Sequence, residues 1–353
     1  MKQYYGYSKR GDVAEATAGF SKPKALIYFA DGKCFERATA ELASAFSGVP
    51  SIGCVGLFYC GEDTHEDGLL VIGYEDVEAV GGVIPDVGEM PLASIEDFQA
   101  KVQQIRPGNE NTVCVDLTTG NDAELVTTMN IALLPKKISL VGGTAWEDTV
   151  AYAGSVYHDA SVYLLLRNTT GKIRAYKENL YGACPNSGQY VATKVDTKLC
   201  ALYELDGKPA ETVYRDVLGF TGKIPEDISI EHPLGRVIGN EVYLLSLKEQ
   251  TGNGGFFCYK KVNNLDIITM MELQDMDAII EETLLNIQKD FPKSNGFFSI
   301  NCLFRHNLFE KKNYEKTYLK DMEKLGSHAG LIGLGEHFNT QHVNQTMTGF
   351  AFD

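Results

Sequence analysis

Charged residues at the ends of apolar segments are the strongest indication of chemistry in this sequence. Arg305 follows the strand-like run FFSINCLF, and Glu336 follows the run HAGLIGLG. A guanidinium binds a carboxylate through two parallel charge-assisted hydrogen bonds, and a buried acid can accept an ammonium group. Together the two side chains would bind a small zwitterion or acid. The alternative is that Arg305 pairs with Glu336, or with another acid of the chain, and only stabilises the fold.

A second acid stands in a similar sequence context. Glu62 follows Gly61 as Glu336 follows Gly335, each after an apolar run. We expect the two acids at matching strand ends, facing one crevice, where both could accept a ligand ammonium group. The alternative is that each carboxylate caps its own turn by accepting backbone N–H bonds.

Two further residues are candidates because of their chemistry. Trp146 is the only tryptophan and precedes two acids, so its ring is a candidate cleft wall that could hold a cation. The alternative is core packing or a lid contact. Cys302 lies three residues before Arg305, but a nucleophilic thiol needs a nearby base. His306 is the nearest candidate base in sequence, but residues this close along the chain usually point their side chains apart. We therefore expect that the protein is not an enzyme.

Histidines raise the question of a metal or haem. His337 and His342 flank the sequence FNTQ, but strand alternation would place their imidazoles on opposite faces, and no zinc-type spacing is present. We therefore predict no metal site and no cofactor. Haem remains an alternative, with His328, His337 or His342 as the axial ligand.

Composition excludes several classes of partner. The net charge of −15 disfavours nucleic acid and anionic membrane surfaces. No segment approaches the ~18 apolar residues that a membrane span needs. The amino terminus lacks an apolar signal core, and the eight cysteines include no C-x-x-C pair. We therefore expect a cytoplasmic protein with reduced cysteines.

The elements that must position these residues are repeated. An apolar strand, a helix, a second strand and a third strand follow each other about three times. The copies begin, in order, with KALIYFADGKCFERATAELASAF, NTVCVDLTTGNDAELVTTMNIAL and NGFFSINCLFRHNLFEKKNYEKTYLKDMEKL. Together with a length of 353 residues, this predicts an α/β fold of two packed parts with mixed β-sheets and flanking helices.

A set of short motifs occurs in order along the chain. They are Ile52-Gly53-Cys54, Gly61-Glu62, Val141-Gly142-Gly143, Leu202 to Gly219, Pro233-Leu234-Gly235, Cys302 with Arg305, Gly335-Glu336 and Asn344-Gln345-Thr346. Together they resemble the FIST domains, which are sensory modules with an N-terminal and a C-terminal part. Two positions depart from the pattern. Val55 stands where the family commonly has Ser or Thr, and His337 stands where an aliphatic residue is usual.

The resemblance implies a division of the chain and a function. It implies an N-terminal arm at 1–23, a FIST N-terminal domain at 24–201 with two copies, and a FIST C-terminal domain at 202–353 with the third. The function would be a stand-alone, non-catalytic small-molecule sensor that binds an amino acid or small carboxylate between the two parts. Its protein partner would be a signalling output such as a kinase, a cyclase or a chemoreceptor. The candidate ligand-binding residues are Arg305, Glu336, Gly335, Glu62, Cys302, Trp146 and Asn344.

Three other functions stay open at this point. The first is a haem-based nitric oxide sensor, because some members of the family resemble such sensors. The second is an enzyme that acts through Cys302 or a pair of acids. The third is a structural subunit of a signalling complex.

Overall fold

The computed structural model describes residues 1–108, 110–222, 224–225, 227–239 and 241–353. The chain forms two compact units. The first comprises Met1–Glu178, Ile280–His342 and Thr346–Asp353, and the second comprises Asn179–Ile279 and Val343–Gln345. This division differs from the predicted boundary at 201/202, because the third copy lies in the same unit as the first two.

In both units, strands contain more residues than helices do. They are β1 (Lys2–Ser8), β2 (Ala25–Ala30), β3 (Ser51–Val55), β4 (Leu57–Cys60), β5 (Asp63–His65), β6 (Leu69–Glu75), β7 (Val77–Pro85), β8 (Thr112–Thr118), β9 (Ser139–Thr144), β10 (Val150–Tyr152), β11 (Ser155–Tyr157), β12 (Ala160–Asn168), β13 (Ile173–Asn179), β14 (Tyr181–Ala183), β15 (Tyr190–Asp196), β16 (Ala201–Leu205), β17 (Lys208–Pro209), β18 (Leu234–Ile238), β19 (Glu241–Leu245), β20 (Leu247–Gln250), β21 (Phe256–Cys258), β22 (Ile267–Leu273), β23 (Phe297–Cys302), β24 (His328–Gly333), β25 (Glu336–Phe338), β26 (Gln341–Val343) and β27 (Thr346–Phe352).

The helices contain fewer residues than the strands. They are α1 (Val13–Ala16), α2 (Phe35–Ala45), α3 (Ile95–Gln104), α4 (Asp122–Leu133), α5 (Ala210–Leu218), α6 (Ile228–Glu231), α7 (Met276–Asp290), α8 (Leu303–Lys311) and α9 (Glu315–Met322). Within the described ranges, no helix has both the length and the apolar character that a membrane crossing demands.

The first unit contains three six-stranded sheets with one common order. Their orders are β1-β6-β2-β3-β10-β11, β7-β12-β8-β9-β25-β26 and β13-β27-β23-β24-β4-β5. In each, the first two strands of a copy are parallel neighbours and the last strand of that copy is antiparallel to the first. A helical crossover joins each parallel pair, as parallel strands require. The α/β class with mixed sheets is thus confirmed.

Each sheet is completed by a hairpin from a different copy. The hairpin β4–β5 of the first copy pairs with β24 of the third, β10–β11 of the second pairs with β3 of the first, and β25–β26 of the third pairs with β9 of the second. The exchange therefore runs through all three copies and returns to the start. This closed exchange ties the third copy to the first two and explains why the three lie in one unit.

The amino-terminal segment is part of this arrangement. β1 pairs antiparallel with β6 over its whole length, from Lys2 with Glu75 to Ser8 with Leu69. The Met1 ammonium donates to the Asp353 carbonyl oxygen at 3.0 Å. The segment predicted as an arm therefore forms an edge strand of the first sheet.

Apolar strands supply the core of the first unit. All six residues of β2 are buried, as expected for a parallel strand covered on both faces. One cluster joins β2, β8, β12 and β27 through Phe29, Val115, Leu164 and Phe350. The second unit has a separate core around a nine-stranded sheet, with Tyr214 of α5 packed edge-on against Phe256.

Candidate functional site

In the first unit, a glycine in the second strand of each copy leaves room for polar or aromatic side chains from its neighbours. Gly142 of β9 pairs with Asp116 of β8 on one side and with His337 of β25 on the other. A Cβ at Gly142 would collide with Asp116 Oδ1. Gly53 lies under the Tyr28 ring in the same way, and Gly330 lies under Tyr59. Only the second sheet places an acid and a histidine at these positions.

His337 lies across Gly142 and contacts Asp116. Its Nδ1 is 2.8 Å from Asp116 Oδ2, and both side chains are fully buried. The strand β8 supplies the acid from an otherwise apolar run, TVCVDLT. A charge in such a place needs a partner, because burial of an unpaired carboxylate is costly.

The opposite nitrogen of His337 contacts a second acid. Nε2 lies 2.9 Å from Oδ1 of Asp122, the first residue of α4. The hydroxyl of Thr144, at the end of β9, donates to the same oxygen. His342 also approaches, with its Nε2 3.9 Å from Asp122 Oδ1. The carboxyl ends of β8 and β9 and the beginning of α4 therefore meet the incoming hairpin at one buried polar cluster.

The protonation states of this cluster follow from its geometry. Burial alone would lower the pKa of His337, but the charges and hydrogen bonds of Asp116 and Asp122 outweigh it and raise the pKa to about 10. Burial acts to raise the pKa of Asp122, yet the neighbouring imidazoles and Thr144 hold it well below its usual range. Burial raises the pKa of Asp116, and the His337 charge offsets part of that rise. At neutral pH, His337 is an imidazolium between two acids.

This arrangement limits the chemistry that His337 can perform. Both ring nitrogens contact carboxylate oxygens, so neither offers a lone pair to iron or to a substrate proton. His328 does not fit haem either. Its ring lies fully buried between Phe297 and Tyr59, with centroids 5.6 and 5.2 Å away, and its Nε2 is 2.9 Å from Ser299 Oγ. Packing of this density leaves no space for a macrocycle.

The hairpin corrects the predicted separation of His337 from His342. The turn between β25 and β26 brings the two rings to a centroid distance of 5.9 Å, nearly perpendicular. Strand alternation along one strand does not apply, because the two residues lie on different strands of the hairpin. In the described residues, no group of three or more metal-ligating side chains has the geometry to hold a metal ion.

Arg305 lies in α8, directly after β23, and it is fully buried. Its guanidinium pairs with Glu178 of β13, whose side chain is also fully buried. The aromatic rings of Phe309 and Tyr318 lie 4.8 and 5.1 Å from the guanidinium carbon, within cation–π range. The structure thus places Arg305 in the internal ion pair that was its alternative role, with Glu178 rather than Glu336 as the acid.

A small cavity lies near this ion pair. It is lined by Tyr59, Asn301, His306, Glu315 and Tyr318 among others, and its volume of about 10 Å³ suits a single water molecule. His306 Nδ1 is 2.7 Å from Glu315 Oε1, which also accepts from Thr64 at 2.6 Å. These groups satisfy one another, and the cavity has no room for a larger ligand.

The two acids Glu336 and Glu62 are not equivalent. Glu336 begins β25, is fully buried, and accepts hydrogen bonds from the backbone N–H and the hydroxyl of Thr346. Glu62 lies at the exposed turn between β4 and β5. The expectation that they face one crevice is therefore wrong, because one begins its hairpin and the other lies at the tip of its own.

The remaining predicted residues have structural surroundings. Gly335 is buried, and its carbonyl oxygen accepts from Thr144 N at 2.9 Å. Trp146 is half-buried and donates from Nε1 to the Ile332 carbonyl oxygen at 2.7 Å, so it packs rather than forming an open wall. Cys302 is fully buried at the end of β23. Asn344 is buried in the second unit.

The second unit contains a cleft of ligand size. Its volume is about 510 Å³, within the range of ~300–1,000 Å³ typical of small-molecule sites. Ile224, Leu247 and Phe256 give it apolar walls, and Lys248 and Gln250 bring polar groups. None of the sequence-predicted site residues lines it.

The short helix α6 forms one side of the cleft. The hydroxyl of Ser229 donates to the Leu247 carbonyl oxygen at 3.2 Å, which ties the helix to β20. The buried amide of Gln345 donates to the Ser229 carbonyl oxygen at 2.9 Å. The Asn344-Gln345-Thr346 motif therefore supports a wall of the cleft, although it does not line it.

Sequence reasoning missed Asp116, Asp122 and Glu178. An acid within an otherwise apolar strand, as in TVCVDLT, is a usable signal, because Asp is almost never fully buried without a partner. His337 was considered as a metal or haem ligand and as a departure from the family pattern, but not as the partner of these acids. The cleft residues carry no comparable signal, since apolar positions of a meander look alike in sequence.

Comparison with known proteins gives one family. The FIST N domain matches residues 24–208, slightly more than half of the chain, which covers the first two copies and continues into the second unit. No curated protein matches the chain. The chain therefore belongs to the FIST family, whose domains are small-ligand sensory domains of signal transduction.

Proposed function

We propose that this chain is a small-molecule sensor whose ligand is an amino acid or small carboxylate with an apolar body, bound in the cleft of the second unit. The observation that carries the proposal is the cleft itself. It is open, has the volume of a small-molecule site, and combines apolar walls with a few polar groups.

The lining residues favour this class of ligand. The Lys248 ammonium and the Gln250 amide suit a carboxylate, and Glu249 suits an ammonium group. Ile224, Leu247 and Phe256 would bury the apolar body of the ligand, which supplies most of the binding free energy. The internal pair of Arg305 with Glu178 already neutralises both charges, so we assign no ligand contact to Arg305.

The signal would leave the cleft through α6. Ser229 contacts β20 through its hydroxyl and Gln345 through its carbonyl oxygen, so a ligand that shifts α6 would also shift the segment Val343–Gln345 of the same unit. A signalling protein would read this change, and the chain itself would catalyse no reaction. A cytosolic location belongs to the same proposal, supported by the eight cysteines, all of which are free thiols.

A thermal-melt screen against amino acids and small carboxylates tests this proposal. A ligand at 100 times its Kd adds about 2.7 kcal/mol of stability. For a protein of this size, the gain corresponds to several degrees in Tm. We expect one ligand class to raise Tm with a saturating dose dependence, and a flat screen at millimolar concentrations would contradict the proposal.

Two variants locate the site. Lys248→Ala should weaken binding at least several-fold, and Ile228→Trp should block the cleft. Lys194→Ala is the matched control, because Lys194 is an exposed lysine of the same unit that pairs with Glu204 at 3.6 Å and does not line the cleft. Binding that survives both cleft variants would place the ligand elsewhere.

A further inference from the structure

The helix α4 in the first unit carries apolar residues on its exposed side. Its inner side packs in a core cluster through Leu125, Val126 and Met129. Ile131 on the same helix is 47% exposed, and Leu134, the residue that follows the end of the helix, is 62% exposed. Exposed apolar side chains that lie together on a helix indicate a surface that another element or protein can cover, and no described helix or strand of the unit covers Ile131 and Leu134.

A hollow lies at the other end of the same face. It is formed between α4 and the segment Pro91–Ser94, has a volume of about 420 Å³, and is lined by Met90, Leu92 and Thr127 among others. Met90 is 63% exposed and Leu92 is 51% exposed. The face therefore carries a protruding leucine at one end and an apolar hollow at the other.

We propose that this face binds a second copy of the same chain, packed about a two-fold axis that passes beside Ile131. A two-fold interface requires a surface that is complementary to itself. Here the protruding Leu134 of each copy would enter the hollow of the other, and the two Ile131 side chains would meet near the axis. The contact would be formed twice by symmetry.

The helical spacing supports this register. With the axis between positions 130 and 131, residue 134 of one copy lies opposite Thr127 of the other, which lines the hollow. Beyond the end of α4 and the turn Leu134–Lys136, position 137 would approach position 124 of the other copy. These positions hold Lys137 and Glu124, so opposite charges would meet at both ends.

Charge along the face favours the antiparallel arrangement for two further reasons. Glu89 and Glu124 line the hollow, whereas Lys136 and Lys137 follow the protruding end, and both lysines are exposed. Antiparallel α4 helices also place the positive end of each helix dipole beside the negative end of the other. A parallel arrangement would bring like charges together.

The first test measures mass as a function of concentration by light scattering after gel filtration. We expect the mass to rise from 38.8 kDa toward twice that value, and Leu134→Glu to abolish the rise. Leu285→Glu is the matched control, because Leu285 on α7 is 58% exposed and lies outside this face. A circular-dichroism spectrum equal to that of the wild type checks that each variant is folded.

The second test is specific to the proposed register. Glu124→Lys and Lys137→Glu should each weaken self-association at least several-fold, because each places like charges at both ends. A mixture of the two variants should restore association, as should the double variant, since opposite charges then meet again. Restoration in the mixture supports the two-fold register, and its absence overturns it.

Either of two outcomes would overturn the proposal as a whole. A chain that stays monomeric at every concentration would assign this face to a different protein. A dimer that persists in Leu134→Glu would place the contact between copies on another surface.

Discussion

His337 and Asp116 lie 221 residues apart in the chain, yet His337 Nδ1 and Asp116 Oδ2 are 2.8 Å apart in a fully buried ion pair. The pair joins the hairpin of the third copy to the first strand of the second copy. With Asp122 on the other side of the ring, it fixes one of the three hairpins that close the first unit.

The first prediction concerns the removal of this imidazolium. His337→Gln should lower the free energy of unfolding of the first unit by about 3–5 kcal/mol, because it leaves the buried Asp116 without its charged partner and removes one of the two imidazoles beside Asp122. Fluorescence of Trp146, the only tryptophan, reports denaturation of this unit. His158→Gln is the control, since His158 is exposed and should change the value by less than about 0.5 kcal/mol. Equal effects of the two variants would contradict the account.

The second prediction is the pH dependence of the same effect. The pKa of His337 is raised from 6.5 to about 10, so its charge stabilises the fold fully below pH 6.5 and progressively less as pH rises toward 10. The difference in unfolding free energy between wild type and His337→Gln should therefore fall steadily across this window. The measurement is urea denaturation of both proteins at several pH values from 6 to 10. A difference that stays constant or grows with pH would show that the imidazolium does not carry the effect.

The third prediction concerns the glycine under the ion pair. Gly142→Ala should destabilise the first unit severely, by at least about 2–3 kcal/mol, because the added methyl group collides with Asp116 Oδ1 and with the backbone of β8. Gly19→Ala is the control, since no atom lies within 4 Å of a Cβ at that position. Thermal melts of both variants measure the contrast, and a Gly142→Ala protein as stable as the control would refute the close approach of β8 and β9.

The fourth prediction concerns the second buried ion pair. Arg305→Met should cost about 3–5 kcal/mol, because Glu178 is left as an uncompensated buried charge. Adding Glu178→Leu should recover part of that loss, which a role of Arg305 in packing alone would not produce. Chemical denaturation of the single and double variants gives the coupling free energy. A coupling free energy near zero would show that the ion pair between the two residues does not contribute to stability.

The strands and helices of each copy can be predicted from the sequence. The exchange of hairpins between the copies cannot. Runs such as ALIYFA and the helix-forming segment that follows show strand and helix directly, because those patterns are local. The pairing of β25 with β9 depends on residues about 200 positions apart, and no local pattern encodes it. The edge strand β1 was missed because its sequence, KQYYGYS, lacks a clear alternation.

The candidate site was harder to predict than the fold. Arg305 was predicted as a ligand contact, with an internal ion pair as the alternative, but its partner Glu178 lies 127 positions away in a strand that carries several charges. The sequence did not reveal the buried ion pairs of His337, since its two acids come from a different copy. The cleft of the second unit depends on the tertiary packing of α6 against β20, which hydrophobic periodicity does not specify.

The most direct test of the sensor proposal is hydrogen exchange of the chain with and without the ligand that raises Tm. The account predicts added protection in α6 and β20, the two elements that line the cleft, with no change around Arg305. Protection confined to the segments around Arg305 and Glu336, with the cleft unchanged, would contradict it and place ligand binding in the first unit.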